Sequence, residues 1–74
     1  MTIEQFKNLN EEEKMAFIKE APKVTEKLDG FTLRRLFKLE NFFIEIKNSL
    51  LNRYKSNMTI YTRVNLPILY AEDF

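Results

Sequence analysis

The chain has 74 residues, 12 Lys plus Arg against 11 Asp plus Glu, and no Cys, His or Trp. That length suits one small domain, residues 1–74, with no catalytic domain beside a regulatory one. Without Cys and His, disulfides, thiolate nucleophiles and thiolate metal sites are excluded, and the commonest general base and metal ligand are missing.

A 45% hydrophobic fraction with one Gly and two Pro belongs to a chain that folds. A domain of this size buries only about 60% of the surface its unfolded chain exposes. Seven Phe and three Tyr are its main resource for burial, and extra burial against a second copy would help, so self-association is expected. No apolar run approaches the roughly 18 residues of a membrane span. The opening MTIEQFKNLNEEEK has neither the basic start nor the apolar stretch of a signal peptide. The expected location is the cytoplasm, with no membrane partner, and the sequon Asn57-Met58-Thr59 is read as a chance occurrence.

Thr2 and Gln5 have capping-box spacing, and Ile3, Phe6 and Leu9 recur on one face of a short helix. Asn10 caps a second helix, whose first turn holds Glu11, Glu12 and Glu13 where the helix dipole favours negative charge. The triplet is read as capping, not as a metal or acidic docking site. Met15 and Ile18, with Phe17 and Ala21, are the expected buried stripe, and Pro22 ends the helix.

Asp29-Gly30 is a strong hairpin signal, because a type I′ turn needs positive φ at both central residues. Taken as the turn's centre, it places Leu28 opposite Phe31, Glu26 opposite Leu33 and Val24 opposite Arg35. A second tight turn at Glu40-Asn41 places Leu39 opposite Phe42, Phe37 opposite Ile44 and Arg35 opposite Ile46. Three strands then share an apolar face of Val24, Leu28, Phe31, Leu33, Phe37, Leu39, Phe42, Ile44 and Ile46.

The competing reading is an all-α bundle with a long helix over 32–56, since Leu33, Phe37, Glu40, Ile44, Lys47, Leu51 and Tyr54 fall at heptad spacing. Glu40 and Lys47 in the seam, and the strand-forming run Phe42-Phe43-Ile44, favour the sheet. Residues 48–57 are polar, with Leu50, Leu51 and Tyr54 interspersed, and suit a loop or a helical turn or two. Met58 to Val64 alternates as a further strand. Pro67 excludes a central strand in the tail, where Leu66, Ile68, Leu69 and Tyr70 form a docking segment. The expected fold is α+β, two short N-terminal helices packed on a three- to four-stranded antiparallel meander.

The residues LFKLENFFIEI, Leu36 to Ile46, resemble a motif in a family of short uncharacterised bacterial proteins. The motif is Leu, an aromatic, any residue, Leu, two turn residues, two aromatics, a β-branched residue, Glu and a β-branched residue. Leu36, Phe37, Leu39, Phe42, Phe43, Ile44, Glu45 and Ile46 fit it position by position. The opening MTIEQFKNLNEEEK resembles that family's start, and together the matches cover about a third of the chain. The resemblance implies helical turns packed on an antiparallel meander and brings no assigned activity. Residues 48–57 are longer and more basic than the short turn it implies before the next strand.

The face opposite the expected core carries Thr25, Lys27, Arg34, Leu36, Lys38, Phe43, Glu45 and Lys47. The charge is polarised: Lys27 to Arg63 holds eight basic and three acidic residues although the net charge is +1. The candidate interaction surface is therefore Arg34, Leu36, Lys38, Phe43, Lys47, Tyr54, Tyr61 and Arg63. Its aromatics and Arg suit a self-associating or protein-binding patch, unless the tail folds back over them. The alternative use of this face is single-stranded nucleic-acid binding, with exposed Phe stacking bases, against the plainer reading that Lys and Arg only solvate it. Glu45 beside Lys38 or Lys47 is read as an ordinary cross-strand ion pair. With no glycine loop, nucleophile elbow or ligand cluster, no catalytic, cofactor or metal residue and no small-molecule substrate is assigned.

Overall fold

The computed structural model describes residues 1–52 and 55–73. Helices α1 (Ile3–Lys7) and α2 (Glu11–Glu20) precede four strands, β1 (Lys23–Asp29), β2 (Thr32–Lys38), β3 (Phe43–Ser49) and β4 (Ser56–Tyr61). The chain then passes through two 3-10 turns, Arg63–Asn65 and Ile68–Asp73. The strands form one antiparallel sheet in the order β1-β2-β3-β4, which is the α+β meander and excludes the long helix.

Both helices start where the sequence places their caps. Thr2 accepts from the Gln5 amide while the Gln5 side chain accepts from the Thr2 amide. Asn10 and Glu13 do the same for α2, behind three first-turn carboxylates. The helices lie on one sheet face over a core of Phe6, Ile18, Phe42, Ile44 and Ile46. The Phe6 and Phe42 rings sit 5.8 Å apart and tilted by 58°, a favoured aromatic geometry. Of the expected α2 stripe only Ile18 is deeply buried; Met15 and Phe17 are exposed. A helix of ten residues meets the sheet along a narrow line, and the flanking positions stay in solvent.

The β2–β3 register agrees with the expected turn at Glu40-Asn41: Phe37 faces Ile44 and Arg35 faces Ile46. The β1–β2 turn sits one residue later than expected. Asp29 pairs with Thr32, so Gly30 and Phe31 are the central residues and Leu28 faces Leu33. Gly30 has φ 63°, and among the described residues no non-glycine has positive φ. One positive φ, at the first central position, is the type II′ requirement, which leaves Phe31 unstrained; type I′ would need it at Phe31 too.

Val24 departs from the expected face. Lys23 pairs with Phe37 but Thr25 pairs with Leu36, so Val24 is the extra residue of a β-bulge. It packs with the opposite cluster instead, against Leu36, Phe43 and Tyr70. β4 ends at Tyr61, earlier than the alternation suggests, and Val64 stands exposed in the first 3-10 turn.

Candidate functional site

The tail crosses the sheet face opposite the helices, burying a second core of Leu36, Phe43 and Tyr70, with Val24, Tyr61, Leu66 and Leu69 around it. The expected docking segment docks through Leu66, Leu69 and Tyr70, while Ile68 points to solvent. Leu36 and Phe43, expected on an exposed aromatic patch, are 0% and 3% exposed. The tail has removed their apolar surface from water, and neither is available to a partner. Tyr54 lies outside the described residues.

Glu45, in the middle of β3, is 0% exposed and forms the centre of this face. Arg34 Nη1 donates to its Oε2 at 3.3 Å, and Tyr61 donates to its Oε1 at 3.3 Å. The Tyr70 hydroxyl also donates to Oε2, and Lys47 Nζ stands 4.0 Å from Oε1. Of the expected partners Lys47 is present at the edge of ion-pairing distance and Lys38 is not, but the pair is no ordinary surface one: the carboxylate is buried and held chiefly by a guanidinium and two hydroxyls. Such a carboxylate is tolerable only because its oxygens are satisfied on all sides.

The surrounding ionisations follow from this placement. Burial, then the hydrogen bond and charge of Glu45, push the Tyr70 hydroxyl far above its ordinary value. The same two causes raise Tyr61. Burial acts to lower Arg34, but Glu45 and Asp29 outweigh it and hold its guanidinium above the ordinary value. Arg34 also reaches Asp29 at 3.0 Å, and Lys27 reaches Asp73 in the tail at 3.1 Å.

Of the eight candidate residues, the structure therefore gathers Arg34, Leu36, Phe43, Lys47 and Tyr61 around Glu45 and under the tail. Lys38 and Arg63 line a separate shallow cleft with Phe43 at the other end of the sheet. Sequence reasoning missed Glu45 as a buried centre and Tyr70 as its partner. The signal available was Phe43 set between Phe42 and Ile44, which breaks the apolar-polar alternation as in a strand covered on both faces; the structure buries all of Phe42 to Ile46.

The helix-side face is incompletely covered. Leu28 and Leu33 pair across β1 and β2, and the same register continues to Phe31 and Leu50, whose amide donates to the Phe31 carbonyl at 2.7 Å. Leu28 and Leu33 share the helix-side face at this end of the sheet, with Phe31 in the adjoining turn and Leu50 just past β3 beside it, and Leu28, Phe31 and Leu50 are 65%, 66% and 56% exposed. No protein family, curated protein or solved structure matches the chain. Among the described residues no helix is long and apolar enough to cross a membrane, and no His, Cys, Asp or Glu cluster has the makings of a metal site.

Proposed function

We propose that this chain is a small non-enzymatic interaction module, acting in the cytoplasm, that self-associates through the uncovered end of its helix-side sheet face. The observation that supports this reading is the exposure of Leu28, Phe31 and Leu50 at that one end of the sheet. Large contiguous apolar side chains in water mark an interaction site more often than chance surface composition. A second copy is the favoured occupant because 12 basic against 11 acidic residues leave little net repulsion between copies, and a core this small gains from added burial. A binding role is also favoured over catalysis by the seated tail, under which no substrate reaches the Glu45 carboxylate.

Light scattering over a concentration series tests the proposal. A mass rising from one chain to two, and returned to one by Phe31→Glu, is the expected result. A chain that stays monomeric at millimolar concentration, or a dimer indifferent to Phe31→Glu, defeats it.

Single-stranded nucleic-acid binding is the weaker reading. Three cations of the face expected to carry it, Lys27, Arg34 and Lys47, are turned toward Asp73, Asp29 and Glu45 within the chain. Phe43, the expected base-stacking ring, is covered.

A further inference from the structure

Arg35 differs from Arg34 in what surrounds it. It projects from β2 on the helix side, partly buried, and its Nη2 donates to Asn48 Oδ1 at 2.6 Å. Its Nε is enclosed and has no hydrogen-bond partner. Among the described residues no carboxylate stands at ion-pairing distance from it: Glu26, its cross-strand neighbour, is taken by Lys23 at 3.3 Å. A partly buried guanidinium satisfied by one neutral amide oxygen is an incomplete arrangement, because a low-dielectric setting strengthens its demand for an anion.

Arg35 also lies where two clefts between α2 and the sheet adjoin. One, about 450 Å³, is lined by Met15, Ala16, Ile18, Phe37 and Ile46 beside Glu12 and Lys19. The other, about 470 Å³, shares Met15, Arg35 and Ile46 and is the more polar of the two, running past Asn48, Ser56 and Asn57 to Met58 and Ile60. Each cleft has one carboxylate against two cations: Glu12 with Lys19 and Arg35 in the first, Glu11 with Lys14 and Arg35 in the second. Met15 is half exposed at their shared wall although its neighbours are apolar. The first cleft therefore offers hydrocarbon walls, and the balance of charge around both is positive by one, with Arg35 the cation they share.

We infer that this trough binds an amphiphile with an unbranched alkyl chain and one terminal carboxylate, the carboxylate on Arg35 and the chain along Met15, Ala16, Ile18 and Ile46. Charge complementarity selects the acid, since a guanidinium pairs with a carboxylate through charge-assisted hydrogen bonds, and Arg35 lines both clefts while only its Nη2 is used within the chain, by Asn48. The apolar walls select the chain. An extended peptide is a poorer fit, because its amides need partners and α2 has already spent its own on the helix.

Titration of decanoate, below its micelle-forming concentration, into the 15N-labelled full chain tests the inference, with decanol and decyltrimethylammonium as probes of the same chain length. Saturable amide shifts confined to Met15, Ala16, Ile18, Arg35 and Ile46 are expected, with decanoate at least tenfold tighter than decanol and the cationic probe weaker still. Arg35→Gln should erase the tenfold preference and leave decanoate and decanol equal. Met15→Glu, at an exposed position outside the core, should weaken decanoate at least tenfold without unfolding the chain, and serves if Arg35→Gln does not fold. Decanoate and decanol binding equally to the native chain, shifts scattered over the surface, a preference that survives Arg35→Gln, or decanoate affinity unchanged by Met15→Glu overturns the inference.

Discussion

The Tyr70 hydroxyl donates to Glu45 Oε2 from 25 residues away, joining the last turn of the chain to its central region. Arg34 meets the same oxygen from β2 and Tyr61 the other oxygen from β4, so one carboxylate ties three strands and the tail together. β1 joins through Asp29, which holds the other side of Arg34, and through Lys27, which holds Asp73.

Tyr70→Phe keeps the ring in its apolar site and removes only the hydroxyl. A hydrogen bond to a charged group contributes about 1.5–3 kcal/mol, so the unfolding free energy should fall by that amount, read as a lower urea midpoint with the slope of the transition unchanged. A loss below about 0.5 kcal/mol would mean that the ring alone seats the tail.

Glu45→Ala is expected to be more damaging than Tyr70→Phe, because it strands Arg34 and two hydroxyls at once. Removing one partner of a buried charge pair costs about 3–5 kcal/mol. Glu45→Leu is the informative comparison: an apolar replacement that recovered most of the native stability would show that the carboxylate serves to select the tail's position more than to stabilise the fold.

Alkaline pH should loosen the tail. Tyr70 and Tyr61 both ionise at higher pH in the folded chain than the ordinary value of 10.0, so the folded state holds more protons than the unfolded one above that value. Their contribution to stability is fully present below pH 10 and is lost as the pH rises beyond it. Urea midpoints at pH 8 and pH 11 should therefore differ, with a smaller drop for Tyr70→Phe. Tyrosinate absorbance should develop late in the native chain and at about pH 10 in urea.

Gly30→Ala isolates the turn. A Cβ there meets nothing within 4 Å, so the only cost is the positive φ of 63°. That costs about 1–2 kcal/mol, and Gly30→Asn should cost less, because Asn is among the residues that primed turns accept at positive φ. Thermal unfolding followed by circular dichroism ranks the three chains.

Retention on single-stranded oligonucleotides at low ionic strength checks the weaker functional reading. With Lys27, Arg34 and Lys47 drawn to carboxylates of their own chain, no salt-dependent binding is expected. Binding that falls steeply with added salt would reinstate it.

Local features of the chain were decided by its sequence. Thr2 with Gln5 and Asn10 with Glu13 set both helix starts because the capping groups lie within a single turn. The Glu40-Asn41 turn and the two-residue period of β2 and β3 set their register, because a slip by one residue would turn every apolar side chain to the wrong face. Three matters depended on groups far apart in the chain and were settled only in three dimensions. The β1–β2 turn moved by one residue because, among the turn's residues, Gly30 alone takes positive φ, and the bulge at Val24 carried that side chain to the opposite face. Alternation shows that Leu36, Phe43 and Glu45 share a face but not what covers it, and the answer lay in the irregular segment around Leu66, Leu69 and Tyr70. Once that segment seats, an apparent surface carboxylate becomes the buried centre of the molecule, while Leu28, Phe31 and Leu50, at the far end of the sheet, stay exposed.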